Sequence, residues 1–119
     1  MTTLEVTLGH AGEGSRLLGL RGELDLSTAP KVEQALRQLE GEGNPLIVLD
    51  LRGLTFLDSS GLRLILDADT RARRDDRRLL VVRGPPEVQR VFQVTLTDVR
   101  IEFIKDPMSI EATGEGAGG

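Results

Sequence analysis

The tetrad Asp58-Ser59-Ser60-Gly61 stands between two largely apolar runs, Leu54-Thr55-Phe56-Leu57 before it and Leu62-Arg63-Leu64-Ile65-Leu66 after it, with no loop around it. A carboxylate followed by two hydroxyls supports three kinds of chemistry. Asp58 or Ser59 can cap a helix by accepting a hydrogen bond from an orphan backbone N–H. That role alone accounts for such residues, at ~1 kcal/mol. Ser59 can also be a nucleophile, but a serine on a strand–turn–helix elbow needs G-x-S-x-G, an adjacent base and an oxyanion hole. Here Asp58 precedes the serine, and the one histidine, His10, is far away in the chain, so no hydrolase is expected. Lastly, Ser59 can accept a phosphoryl group. Free N–H groups and the macrodipole make a helix N-terminus favourable for an anion, and a phosphoserine there adds ~1.5–2 negative charges at neutral pH. Such a change spares the helix and transforms the surface, with Asp58 deepening the negative patch. It suits the breaking of a protein contact, not the refolding of a domain.

The other candidates are weaker. Gly22-Glu23-Leu24-Asp25 ends a strand ahead of a helix cap and by itself reads as a turn with solvated carboxylates. His10 lies in a glycine-rich turn without partners for a metal. The run from Arg71 to Arg78 is basic but carries Asp75 and Asp76 inside it. It reads either as a patch for an anionic partner or as a helix C-terminus, where each cation opposes the negative pole for roughly 0.3–1 kcal/mol. No Walker-type phosphate loop is present, and no cofactor or metal site is signalled.

Composition narrows the field. At 119 residues the chain is one domain, since domains commonly run ~100–150 residues. A net charge of −4, with no Trp, no Tyr and three Phe, offers neither a basic face nor a stacking platform. Nucleic acid is therefore not an expected partner. The absence of cysteine excludes disulfides and thiolate metal sites. The N-terminus shows no signal-peptide pattern, and no run nears the ~20 apolar residues of a membrane span. The expectation is a soluble cytoplasmic protein with no direct membrane insertion.

Several elements must position the tetrad. Leu4 to Leu8 alternates as a strand, and Ser15 to Leu20 is its hairpin partner, running on towards Asp25. Ser27 or Thr28 can cap a helix with Pro30 in its first turn. Val32, Ala35, Leu36 and Leu39 form its apolar stripe, and Gly41 to Pro45 ends it. Leu46 to Leu51 is nearly all aliphatic, as befits a strand covered on both faces. Helical periodicity resumes after Ser59, with Gly61, Leu62, Leu64, Ile65, Leu66, Ala68 and Ala72 on one arc and Arg63, Asp67, Thr70, Arg71 and Arg74 on the other. Asp69 falls on the apolar side, where the pattern does not account for it. Leu79 to Val82 is a strand, Pro86 to Gln93 a short helix, Val99 to Ile104 an edge strand, and Met108 to Ala112 a last helix. The order ββαβαβαβα predicts one α/β domain over residues 1–113, with a mixed, largely parallel sheet of about five strands and about four helices. Residues 114–119 are expected to form a disordered tail.

These residues resemble the STAS domain family, and in particular its free-standing bacterial anti-sigma factor antagonists. The likeness is carried by Gly22-Glu23-Leu24-Asp25 with Ser27-Thr28, by Leu46–Asp50 with Leu54 to Leu62, and by Val88-Gln89-Arg90-Val91-Phe92 with Leu96-Thr97. The resemblance implies a partner, an anti-sigma factor with serine kinase activity, whose capture frees a sigma factor. It further implies that the kinase phosphorylates Ser59, that the phosphorylated form no longer binds, and that a serine phosphatase restores it. Asp58 would orient the serine, Ser60, Gly61 and Leu62 would lie in or near the contact, and Asp25 and Thr28 would supply its other half. The same family also includes accessory subunits of lipid or anion transport systems, and a scaffold role in a stress-signalling complex is a further alternative.

Overall fold

The computed structural model describes residues 3–12 and 14–107. Their elements run β1 (Leu4–Gly9), β2 (Ser15–Leu24), α1 (Ala29–Gly41), β3 (Leu46–Leu57), α2 (Ser59–Arg74), β4 (Arg78–Val82), α3 (Pro86–Val94) and β5 (Phe103–Ile104). The five strands form one sheet in the order β1-β2-β3-β4-β5. β1 and β2 are antiparallel, while β2, β3, β4 and β5 run parallel. Because every parallel crossover steps to the next position in the same direction, crossovers of one hand place their helices on one face. Val32, Leu36 and Leu39 of α1, Ile65 and Ala68 of α2, and Val88 and Phe92 of α3 join one buried cluster with Leu18, Ile47, Leu49 and Val81 of the sheet.

The α/β architecture and the mixed, mostly parallel five-stranded sheet agree with the sequence expectation. Three helices lie within the described residues. The expected last helix, Met108 to Ala112, and the tail from Gly114 lie outside them.

Several boundaries differ, each for a local reason. β3 continues past Leu51 to Leu57 and stays paired with β2 through two register irregularities. Gly53 permits that continuation, since a Cβ there would stand 2.7 Å from the Leu20 carbonyl oxygen. β5 is two residues long, not the six from Val99. Its expected first half is held in a turn by α2: the Arg73 Nη2 donates to the Arg100 carbonyl at 2.6 Å, and Arg100 itself bonds the Leu66 carbonyl and the Thr70 hydroxyl.

Asp69, unaccounted for by helical periodicity, is only 3% exposed. Its Oδ2 accepts from Arg73 Nε at 2.9 Å and lies 3.8 Å from Arg100 Nε. The buried carboxylate thus pairs α2 with the α3–β5 connection. Arg71 departs from its expected polar arc and is also buried, because it faces α1 and forks onto Glu40 with Nε and Nη2 at 3.0 and 2.9 Å.

Candidate functional site

The C-terminal ends of β2 and β3 and the first turns of α1 and α2 meet at one end of the sheet. Leu24 pairs with Leu57, and the Asp58 N–H donates to the Leu24 carbonyl at 3.2 Å. The Asp25 turn and the Asp58 tip are therefore neighbours, although 33 positions separate them in the sequence. α2 must start very close to these strand ends. A Cβ at Gly61 would come within 2.5 Å of Leu57 Cδ1 and 2.7 Å of Leu24 Cγ, so only glycine lets the first turn settle there.

Asp58 is the N-cap of α2. Its backbone is extended, and its Oδ1 accepts from the Ser60 N–H at 2.9 Å and the Gly61 N–H at 3.0 Å. Its carbonyl accepts from the Leu62 N–H at 3.0 Å. The carboxylate therefore does the capping, and Ser59 is left free of that duty as the first residue of the helix. Ser59 is exposed. Among the described residues, nothing bonds its hydroxyl. An accessible hydroxyl at the positive pole of a 16-residue helix is a favourable place for an added anion.

The second half of the site uses a different device. Thr28 occupies the N-cap position of α1, but neither it nor Ser27 caps with its side chain, contrary to the sequence expectation. Asp25 Oδ1 takes over, accepting from the Ser27 and Thr28 N–H groups at 2.9 and 3.1 Å and from the Ser27 hydroxyl at 2.7 Å. The Thr28 hydroxyl turns back, accepting from the Asp25 N–H at 3.0 Å and donating to the Glu23 carbonyl at 2.8 Å. Asp25 and Thr28 thus fix the loop that carries Leu26.

Of the residues singled out by sequence, Asp25, Thr28, Asp58, Ser59 and Ser60 gather at this end and retain accessible surface. Gly61 and Leu62 are there too but point inward, Leu62 being 7% exposed. They set the position of the surface and add little to its area. Two residues were missed. Leu26 is 75% and Phe56 46% exposed, and each lies on one of the two segments that meet here. A leucine between Asp25 and Ser27 in a polar turn was the available signal. Between α1 and α2, Leu26, Pro30, Ser60, Arg63 and Asp67 line an open cleft of about 550 Å³.

The basic run lies elsewhere and is neutralised within the chain. Arg71 pairs with Glu40 and Glu33, Arg73 with Asp69, Arg74 and Arg77 with Asp75, and Arg78 with Glu102. Among the described residues, no cluster of His, Asp or Glu could hold a metal ion, and no helix is long and apolar enough to cross a membrane.

A family model described as "Mlab, STAS domain" matches residues 7–102, most of the chain. The chain belongs to the STAS domain family. The anti-sigma-B factor antagonist of Staphylococcus aureus is 28% identical to this STAS domain over 74 residues, which span 62% of the domain chain and 68% of that relative. The fold is that of SpoIIAA, an anti-sigma factor antagonist solved in its unphosphorylated form, with a TM-score of 0.77 at 20% identity over 93% of this chain and 97% of that one. The Bacillus cell fate determinant SpoIIAA in the phosphorylated form superposes with a TM-score of 0.71, also at 20% identity, over 92% and 99% of the two chains.

Proposed function

We propose that this STAS domain is an anti-sigma factor antagonist, switched off by phosphorylation of Ser59. It binds an anti-sigma factor that is also a serine kinase and so releases a sigma factor. Phosphorylation ends the binding, and a serine phosphatase restores it. The observation that carries the reading is the division of labour at the start of α2: Asp58 caps, and the Ser59 hydroxyl beside it stays exposed and unengaged.

The surroundings support a contact surface. Leu26 and Phe56, exposed on the two segments that meet at this end, offer apolar anchors, and exposed apolar groups grouped with polar ones are typical of docking surfaces. The acidic relatives of the site, Asp25 and Asp58, lie beside the place a phosphate would occupy. A dianion added there must be desolvated on docking, which is costly without a dedicated partner charge. A penalty of about 3–4 kcal/mol weakens binding a few hundred-fold, enough for a switch. The SpoIIAA fold matches this chain in both its unphosphorylated and phosphorylated forms, in keeping with a switch that alters surface and leaves the scaffold alone.

The test is binding and labelling with the purified anti-sigma kinase. Wild-type protein incorporates phosphate from ATP and Ser59→Ala does not. Ser59→Ala binds like the unphosphorylated wild type, whereas Ser59→Asp binds about a hundred-fold more weakly. Equal affinity of the two variants would defeat the proposal. The STAS family, which the resemblance takes to include accessory subunits of lipid or anion transport systems, supplies the second reading. Stable co-purification with a membrane transporter, unaffected by Ser59→Asp, is the result that would install it.

A further inference from the structure

The helix α2 carries four arginines, Arg63, Arg71, Arg73 and Arg74. Three are engaged: Arg71 pairs with Glu40 and Glu33, Arg73 with Asp69, and Arg74 with Asp75. Arg63 is exposed, and among the described residues no hydrogen bond or ion pair holds its guanidinium. An exposed cation without a partner is ordinary, but the place of this one is informative. Arg63 comes four residues after Ser59, so the two stand one above the other on adjacent turns, with their Cβ atoms about 6 Å apart. Arg63 also borders the α1–α2 cleft, together with Leu26, Ser60 and Asp67.

A phosphate carried by Ser59 needs a counter-charge that the helix mouth cannot spare. The Ser60 and Gly61 amides are bonded to Asp58 Oδ1, and the Leu62 amide to the Asp58 carbonyl. The charge in the position before the serine, Asp58, is negative. Lys31, in the first turn of α1, donates its Nζ to the Leu4 carbonyl at 2.8 Å. Arg71 starts about 18 Å further along α2. Arg63 is left. Asp67, four residues beyond Arg63, competes for it, and two properties of helices decide between the acids. Side chains lean towards the N-terminus, so Arg63 covers the turn that begins with Ser59. An acid N-terminal to a base at this spacing also pairs better than the reverse. The planar guanidinium suits a phosphate, which it can hold through two parallel hydrogen bonds.

We infer that Arg63 is the intrachain receptor of the phosphate on phosphorylated Ser59, forking onto it across one turn of α2. The inference rests on the proposed switch and adds a residue to it. Because Arg63 lines the cleft, the pairing draws a cation from the cleft edge as the dianion appears beside it. One modification thereby alters two neighbouring parts of the surface. The pair does not ease docking, since a partner closing over it must take both charges out of water.

Phosphorus NMR on the full chain tests the inference, with phosphoserine installed at position 59 during translation so that no kinase is needed. A cation beside the phosphate favours the dianion and lowers its second pKa from the ordinary value of about 6. Asp58 acts in the opposite sense, so the quantity read is the difference between variants. Arg63→Gln is expected to raise the titration midpoint by about 0.5, and Arg63→Lys to restore part of the difference. Arg74→Gln, the same loss of charge about 22 Å from Ser59 along α2, is expected to leave the midpoint where it was. The Arg63 Nε–H resonance is expected to move with the same midpoint as the phosphate. A midpoint unchanged by Arg63→Gln, or raised equally by Arg74→Gln, would overturn the inference. The Arg63 side chain bonds nothing among the described residues, so Arg63→Gln is expected to melt at the wild-type temperature before phosphoserine is introduced. Absence of kinase labelling at Ser59 would end the proposed switch and leave these titrations unaffected. An Arg63 indifferent to the phosphate would leave the switch standing.

Discussion

At Asp58 and Ser59 two neighbouring side chains that sequence alone treats as interchangeable caps have separate duties. Asp58 satisfies two orphan amides. Asp58→Ala should therefore cost about 1 kcal/mol, within the usual 0.5–2 for a lost cap, while Ser59→Ala should stay within about 0.5 kcal/mol of wild type. Chemical denaturation of both variants checks this, and a larger loss at Ser59 than at Asp58 would reverse the assignment. Gly61→Ala drives a methyl into Leu57 and Leu24 and should destabilise by about 1–3 kcal/mol through overpacking. The D-S-S-G string pointed to a helix mouth and to an accessible serine. It did not say which residue caps, because Asp and Ser are both favourable at that position and the outcome depends on where the strand before it ends. The exposure of Leu26 and Phe56 was likewise hidden, since an apolar residue in sequence carries no mark of being left outside.

Between elements, ion pairs join pieces that periodicity treats one at a time. Arg71 was placed on the solvent arc of α2 by its spacing, which contains no information about α1. In the fold it is nearly enclosed and forks onto Glu40, with Glu33 at 3.2 Å. Burial opposes the charge, but the hydrogen bond to Glu40 and the charges of Glu33, Glu40 and Asp67 outweigh it, and the guanidinium sits above its ordinary value. Glu40→Gln leaves that cation poorly compensated and should cost about 3 kcal/mol. Replacing both partners by apolar residues of similar volume should cost much less. Thermal melts of the single and double variants separate the two cases. At the end of α2, hydrogen bonds from Arg74 and Arg77 hold the Asp75 carboxyl below its usual value. A depressed carboxyl stabilises the fold above its unfolded value and loses that contribution as pH falls through the folded one. Asp75→Asn should therefore flatten the acid limb of the stability–pH curve and leave the curve unchanged in shape above about pH 5. An acid limb as steep as wild type would count against it.

For the molecule as a whole, the consecutive strand order follows from short connections and one crossover hand. Fold class, the succession of elements along the chain and the strand number could be read from alternating aliphatic runs and amphipathic helices; the order of strands within the sheet was not read there. The length of β5 and the continuation of β3 could not, because both are set by side chains from distant segments: Arg73 and Arg100 in one case, the Leu20 carbonyl beside Gly53 in the other. Hydrogen exchange should follow this map. The amides shared by β2, β3 and β4 around Val48 and Leu49 should be the slowest to exchange, and those of the two-residue β5 among the fastest. Faster exchange at the centre of β3 than in β5 would contradict the packing described. The unengaged oxygen of Ser59 has a practical corollary. The chain has no sulfhydryl of its own, so Ser59→Cys installs a lone thiol whose thiolate is favoured by the helix pole, below the usual ~8.5. Under the proposed function, protection of that thiol from alkylation would report when the anti-sigma factor is bound and when it has left.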